Sequence, residues 1–127
     1  MIPKYRAWLK KEQKMDNEID HISWLEDELY CIGDGITYMV SAEDLELMQS
    51  TGLKDKNDKE IFEGDILDYK GRKALVRWHG SYASFIYRFV DELQKRNTEW
   101  KPLYLAYMKC EIIGNIYENP ELLEAIK

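Results

Sequence analysis

The sequence predicts a mainly β fold, a compact barrel-like or sandwich-like antiparallel structure with short helical turns and a short C-terminal helix. Aromatic residues make up 13% of the 127-residue chain, including nine Tyr and four Trp, and such side chains favour pleated, half-buried surfaces. Apolar and polar side chains alternate in several short stretches, as they do in half-buried strands. Turns containing Gly separate these stretches at intervals of roughly 8–12 residues, which is typical of barrels and sandwiches.

In the first half of the chain, the alternation predicts a series of short strands. Along the first of them, Tyr5, Ala7 and Leu9 share one face. The Gly-Asp-Gly sequence at 33–35 supplies the positive φ angles that a tight hairpin turn needs. Residues 41–44 predict a turn, or a single helical turn with Ser41 as its cap. The predicted strands are 5–9, 19–25, 28–32, 36–40 and 45–49.

The second half predicts a polar connector over 54–60 and then further strands. Gly71 marks a hairpin turn, and residues 82–90 form the clearest alternating strand. The polar stretch 91–101 predicts a helical turn or a surface insertion. Asn119 and Pro120 are suited to the cap and the first position of a short helix over 120–126. The predicted strands are 65–69, 73–78, 82–90, 103–108 and 111–117.

The length of 127 residues predicts a single domain over 1–127, within which an acidic β segment (1–53) and a barrel-like segment (54–127) can be distinguished. The net charge is −6, but residues 15–53 contain ten acids and no Lys or Arg. The rest of the chain therefore has a balance of +4. An acidic segment of one copy that meets a basic segment of another would give a homo-oligomer, and fully solvated charged faces are the alternative.

Residues 69–90 form a basic and aromatic hairpin without any acid. Small barrels bind single strands through aromatic platforms flanked by basic residues. The candidates for nucleic-acid binding are Lys70, Arg72, Lys73, Arg77, Trp78 and Arg88. In the favoured alternative, Phe85, Tyr87 and Phe89 face the core and the basic side chains lie on an exposed hairpin. The overall acidity of the chain also argues against strong non-specific nucleic-acid binding.

The sequence contains no catalytic, cofactor-binding or metal-binding motif. Structural zinc needs four Cys or His at short paired spacings, and the residues of these types are isolated from one another: Cys31, Cys110, His21 and His79. A weak enzyme hypothesis has His79 converging with Asp65 or Asp68. We therefore expect a protein that is not an enzyme and holds neither metal nor cofactor.

Targeting signals are also missing from the sequence. No apolar run approaches the ~20 residues that span a bilayer, and the first residues lack the apolar core of a secretory signal. Two cysteines are too few for a disulfide framework. We expect a cytoplasmic protein without a membrane partner.

Three separated stretches resemble the YopX family, small proteins encoded by bacterial phages and prophages. They are YRAW at 5–8 followed by Met15, LMQSTGLKD at 47–55 continuing into EIFEGDI at 60–66, and GNIYENPELL at 114–123. The chain departs from the family pattern at Asp58, where Gly is usual, at Phe62, where Tyr is usual, and at Ser50, where an aromatic is usual. Because Asp tolerates turn conformations, the connector should survive the first departure.

The resemblance implies a mainly β fold and a phage or prophage origin, and it implies no activity or catalytic residue. The motif residues have structural explanations. Gly52 and Gly64 bracket the connector, and Asp55 and Asp65 can accept backbone N–H bonds in its turns. The Gly-Asn pair at 114–115 predicts a bulge in the last strand.

The expected function is that of a non-enzymatic phage accessory protein in the cytoplasm of the bacterial host. It would act by self-assembly, as a homo-oligomer, or by binding a host or phage protein. Nucleic-acid binding through the hairpin at 69–90 is the alternative.

Overall fold

The computed structural model describes residues 4–19, 21–24, 29–33, 37–81, 83–93 and 100–124. The chain divides into two compact units, Met1–Ser50 and Thr51–Lys127. The strand pairs with a defined register among the described residues are antiparallel, and the helices there are short 3₁₀ turns. The predicted mainly β antiparallel fold is therefore confirmed, whereas the single-domain assignment over 1–127 stays a prediction.

The N-terminal unit is built around two antiparallel sheets. Its elements in chain order are β1 (Tyr5–Leu9), β2 (Lys14–Ile19), β3 (His21–Trp24), β4 (Leu29–Gly33), β5 (Thr37–Ser41), the 3₁₀ helix η1 (Ala42–Asp44) and the first part of β6 (Leu45–Lys54). β1 lies between β2 and β6, and β4 lies between β3 and β5. Of residues 19–25, predicted as one strand, Ile19 ends β2 and His21–Trp24 form β3. The turn over 34–36 lies outside the described residues.

The core of the N-terminal unit lies on the predicted face of β1. Ala7 and Leu9, which alternation places together, belong to one buried cluster with Ile19 and Leu45. Ala7 pairs with Leu47 and Leu9 with Leu45 across the β1–β6 ladder. Side chains directly opposite one another in such a ladder share a face, so the register of β6 fixes this cluster.

The C-terminal unit contains a five-stranded sheet. Its elements are the end of β6, β7 (Glu60–Phe62), β8 (Asp65–Tyr69), β9 (Arg72–His79), β10 (Ser84–Phe89), η2 (Val90–Glu92), β11 (Lys101–Pro102), η3 (Leu103–Leu105), η4 (Tyr107–Lys109), β12 (Cys110–Asn115) and η5 (Pro120–Leu123). The sheet has the order β11-β10-β9-β8-β12, and β7 pairs with β6. The predicted hairpins around Gly71 and between β9 and β10 are both present.

One face of this sheet carries the main buried cluster of the C-terminal unit. Tyr87 and Phe89 are buried there, and Phe85 packs against the cluster, as the favoured interpretation of the hairpin predicted. The register sets Tyr87 opposite Val76 and Phe89 opposite Ala74. The buried members of the cluster are Ile61, Leu67, Ala74, Val76, Tyr87, Phe89, Leu103, Ala106 and Cys110.

Residues 103–108, predicted as a strand, form η3 and η4 instead. The buried residues here are Leu103 and Ala106, followed by Cys110 at the start of β12. They stand three and four positions apart, which is the spacing of one face of a helical segment and not of a strand. The strand prediction failed because it relied on the Tyr and Leu content of the segment, and composition alone does not distinguish a strand from a helical turn.

Asp55 holds the connector against the last strand. Its Oδ1 accepts the backbone N–H groups of Asn57 and Lys59, both at 2.9 Å, and its Oδ2 accepts that of Ile112 at 2.9 Å. Lys56 N also donates to Cys110 O at 2.9 Å. Burial raises the pKa of the Asp55 carboxyl, but the three N–H donors and the charge of Lys59 outweigh it and hold the pKa below its ordinary value of 3.8.

The turns of the connector have the geometry that the motif residues require. Gly52 and Gly64 adopt positive φ angles of 77° and 88°, which only glycine does without a steric penalty. Asp65 Oδ2 accepts Phe62 N at 2.8 Å. Asp58, the departure noted at the connector, also has a positive φ of 65°. The expectation that Asp58 preserves the turn is confirmed.

The predicted bulge is present in β12, where the register with β8 shifts between Ile112 and Gly114. A Cβ on Gly114 would lie 2.5 Å from Asn119 Oδ1, so a larger residue here would displace the Asn119 side chain. Asn119 and Pro120 occupy the predicted cap and first position of η5, but Asn119 Oδ1 accepts Asn115 N at 3.2 Å and makes no hydrogen bond to the helix. Within the described residues, the predicted C-terminal helix is one 3₁₀ turn.

Candidate functional site

The predicted basic hairpin turns at Lys70 and Gly71, whose φ angles are both positive, 52° and 86°. Tyr69 and Arg72 pair on either side of them, so this is a two-residue turn with the type I′ pattern. Lys70 is exposed, and its Nζ lies 5.6 Å from the centroid of the Tyr69 ring. The turn therefore presents one lysine outward beside an aromatic ring.

The sheet divides the other predicted nucleic-acid-binding residues between its two faces. Arg72 and Trp78 lie in β9 at positions that share a face with the core, whereas Lys73 and Arg77 lie at the alternate positions. Arg88 pairs with Leu75 and therefore belongs with the second group. Lys70, Arg72, Lys73, Arg77, Trp78 and Arg88 thus do not form one continuous basic patch.

Carboxylates already compensate the charge of Arg72. Its Nη2 donates to Asp91 Oδ1 at 2.8 Å and to Glu92 Oε1 at 3.0 Å, and its guanidinium carbon lies 3.6 Å from the centroid of the Phe89 ring. These hydrogen bonds raise the pKa of Arg72. A phosphate would have to displace two carboxylates in order to bind here.

Arg88 and Trp78 are also engaged with neighbouring groups. Arg88 Nη2 donates to the backbone oxygen of Glu92 at 3.1 Å, and the guanidinium lies 5.2 Å from the centroid of the Trp100 ring. Trp78 packs edge-on against Phe85 with ring centroids 4.9 Å apart, and it remains 45% exposed. The aromatic side chains of the hairpin thus serve mainly as packing surfaces.

The segment Leu103–Cys110, which we call the cap, covers part of the core. Leu103 and Cys110 are fully buried and Ala106 is nearly so. Ala106 N donates to Leu103 O and Lys109 N donates to Ala106 O, both at 2.9 Å. Cys110 Sγ lies 3.2 Å from Ala106 O. Its inward residues and its own hydrogen bonds therefore fix the cap in place.

The same geometry turns three large apolar side chains outward. Tyr104 is 61% exposed, and Leu105 and Met108 are each 69% exposed. We call these three residues the apolar cap surface. Single exposed apolar residues are common on proteins, whereas contiguous exposed apolar patches mark interaction sites, and these three residues lie within five positions of the chain. Tyr and Met are also enriched in protein interfaces.

Lysines lie near the two ends of the cap. Lys101 precedes the cap, and its Nζ lies 5.0 Å from the centroid of the Phe89 ring. Lys109 ends η4 and is exposed. Cys110 pairs with Tyr69, so the Lys70 turn lies at the same end of the sheet as Lys109. We call Lys70, Lys101 and Lys109 the lysine rim.

Sequence reasoning identified Lys70 but missed the cap surface and the other two lysines. The available signal was the spacing of Leu103, Ala106 and Cys110, which fits a helical turn with one buried face. A strand over 103–108 would have placed Tyr104 and Leu105 on opposite faces. The helical turns instead place both side chains in solvent.

The candidate catalytic groups do not converge. Asp68 pairs with Lys73, and His79 lies six residues farther along β9, a distance of about 20 Å at ~3.3 Å per residue. Asp65 is buried and accepts a backbone N–H. Burial raises the pKa of the Cys110 thiol to about 11, so it stays protonated and weakly nucleophilic at neutral pH.

The described part of the chain has neither a metal-binding cluster nor a membrane-spanning helix. There, no group of three or more His, Cys, Asp or Glu side chains is arranged to hold a metal ion. None of the helices found there has the length and apolar character needed to cross a bilayer.

The chain is a mainly β protein, and its motif residues form the turns between its strands. The chain belongs to the YopX family: the family model described as "YopX protein" matches residues 4–124. No curated protein matches the chain.

Two solved structures are similar to this chain over nearly its whole length. Protein EF1440 from Enterococcus faecalis is 30% identical with a TM-score of 0.60, and the match covers 98% of this chain and 99% of that one. Protein YopX from Bacillus subtilis is 21% identical with a TM-score of 0.54, and the match covers 97% of each chain. The second similarity shows the fold alone.

Proposed function

We propose that this YopX-family chain is a non-enzymatic protein-interaction module that assembles with other copies of itself through the apolar cap surface. The observation that carries the proposal is the division of the cap into a buried and an exposed side. Leu103 is fully buried, whereas Leu105, two positions away, is 69% exposed. The predicted phage or prophage origin and cytoplasmic location stay predictions.

The rigidity of the cap supports the proposal. Two backbone hydrogen bonds and three buried side chains fix it before any partner arrives. A surface that is already ordered loses less conformational entropy on binding than a flexible loop does. The cap can therefore bind a partner through a small apolar area.

Analytical ultracentrifugation tests the proposal, with protein from about 1 to about 100 μM to cover micromolar affinity. We expect the wild type to assemble with increasing concentration and the Leu105→Ser/Met108→Ser variant to remain monomeric. Ile113→Ser is the matched control, since Ile113 is also an exposed apolar residue of this unit, 39% exposed in the β12 bulge. A monomeric wild type at every concentration overturns the proposal.

Nucleic-acid binding through the hairpin is the second candidate, and the exposed Arg77 and the half-buried Lys73 on one face of β9 favour it. Titration of labelled single- and double-stranded DNA at two salt concentrations tests it. Binding that weakens steeply with salt and is lost in Arg77→Glu would support this function. Absence of binding at about 50 mM salt would exclude it.

A further inference from the structure

We propose that Met108 is a modification site, at which a peroxide oxidises the thioether to the sulfoxide and thereby reverses assembly through the apolar cap surface. This inference rests on the proposed self-assembly and adds its regulation. Met108 lies in η4, at the end of the cap that leads into β12.

The methionines whose side chains the structure describes differ widely in their access to solvent. Met108 is 69% exposed, Met15 in β2 is half-buried, and Met48 in β6 is 2% exposed. The oxidant has to contact the sulfur atom, so the susceptibility of a methionine follows its exposure. Met108 is therefore the first of these three methionines that a dissolved peroxide reaches.

The buried thiol next to the cap does not compete for the oxidant. A cysteine reacts with a peroxide through its thiolate and according to its exposure. Cys110 is fully buried, and burial raises the pKa of its thiol to about 11. At neutral pH this thiol is protonated and enclosed, which leaves Met108 as the reactive sulfur of the cap.

The reaction transfers one oxygen atom from the peroxide to the sulfur. With hydrogen peroxide, the sulfur attacks one oxygen, the O–O bond breaks, and the second oxygen takes up the proton of the first and leaves as water. The sulfur loses two electrons and the peroxide gains them. Methionine sulfoxide reductases restore the thioether with two electrons from a dithiol, which becomes a disulfide, so the modification is reversible.

The position of Met108 on the cap determines what the oxidation does to assembly. Tyr104, Leu105 and Met108 are the large apolar side chains that the cap turns outward. The sulfoxide places a polar S=O group among them, and covering this group with a partner costs free energy unless the partner donates a hydrogen bond. Conversely, a partner that covers the cap shields Met108 from the oxidant. Assembly and oxidation therefore oppose each other.

Hydrogen peroxide treatment followed by peptide mass spectrometry and analytical ultracentrifugation tests the proposal. In dilute, monomeric protein, we expect Met108 to gain one oxygen atom at least about fivefold faster than Met48. The oxidised protein should associate at least about tenfold more weakly than the untreated protein. Subsequent treatment with methionine sulfoxide reductases should restore its association.

Two variants separate Met108 from the other methionines. Met108→Leu keeps every other methionine of the chain, and its association after peroxide treatment should equal the value measured for the same variant before treatment. Met15→Leu removes the half-buried methionine that pairs with Trp8, and peroxide should weaken its association as it does in the wild type. Circular dichroism before and after treatment checks that each protein stays folded.

Each result has a distinct meaning. If the untreated wild type is monomeric at every concentration, the proposed function fails and this inference fails with it. If the wild type assembles and its oxidised form assembles equally well, the proposed function survives and the regulation by oxidation is wrong. Equal oxidation rates at Met108 and Met48, or a loss of association in treated Met108→Leu, also overturn the assignment to Met108.

Discussion

The polar turn residues of the C-terminal unit and the apolar residues of its cap have environments opposite to their chemistry. Asp55 and Asp65 are charged and buried, and they accept backbone N–H groups. Leu105 and Met108 are apolar and exposed. The buried acids belong to the sequence stretches that first indicated the resemblance to the YopX family, and the exposed apolar residues do not. Those stretches report how the chain turns, and the cap is where we propose that a partner binds.

The largest expected effect on stability is at Leu103, and Leu105 provides the contrast within the same cap. Leu103→Ala should lower the free energy of unfolding by about 3 kcal/mol, because it leaves a cavity at a fully buried position. Leu105→Ala should change it by less than about 0.5 kcal/mol, as surface substitutions usually do. Urea unfolding measures both. Equal losses would show that the two sides of the cap do not differ.

A similar loss is expected at the buried acid of the connector. Asp55→Ala removes the acceptor of three backbone N–H groups and should lower the free energy of unfolding by about 3 kcal/mol. Asp55→Asn retains one acceptor oxygen and should lose less. If Asp55→Ala unfolds at the same urea concentration as the wild type, the acid does not stabilise the turn.

The stability that Asp55 contributes should depend on pH. A carboxyl whose pKa is lowered by folding stabilises the folded chain fully above its ordinary value of 3.8, and this contribution is lost as the pH falls through the lower folded value. The stability difference between wild type and Asp55→Asn should therefore stay constant from pH 7 to about pH 5 and shrink below about pH 4. Urea unfolding across this range checks it. A difference that grows in acid would contradict the assigned direction.

An intermediate effect is expected at the bulge of β12. Gly114→Ala would place a Cβ 2.5 Å from Asn119 Oδ1 and 2.9 Å from Leu122 Cδ1, and such overpacking lowers stability by about 2 kcal/mol. Gly80→Ala is the matched control, because its Cβ would meet nothing within 4 Å. Thermal unfolding of the two variants should differ clearly, and equal melting temperatures would be inconsistent with the crowded bulge.

The smallest expected effect is at Asp58, whose φ is 65°. Asp58→Gly relieves the strain of the left-handed backbone, whereas Asp58→Ala retains that strain and lacks a polar side chain. The glycine variant should be more stable than the alanine variant by about 1 kcal/mol. Chemical unfolding of the two variants gives the order directly, and the reverse order would show that the turn changes conformation.

Much of the fold followed from alternation and turn residues, and the failures have physical causes. β8 and the hairpin at Gly71 were predictable because a local pattern and a local turn determine them. The cap was not, because its buried side depends on which residues reach a core assembled from distant strands. The basic residues looked like one patch in sequence, but alternation along β9 separates Arg72 from Lys73.

Asp55 and Lys56 occupy the free edge of β12. They use the N–H of Ile112 and the C=O of Cys110, groups that an incoming strand would need in order to extend the sheet beyond β12. At the opposite edge, β11 has two residues and one of them is Pro102, which has no N–H to offer. Addition of a strand from another chain is thereby blocked at both edges of the five-stranded sheet, so a partner would meet this sheet through side chains, in contacts that are reversible and sensitive to single substitutions.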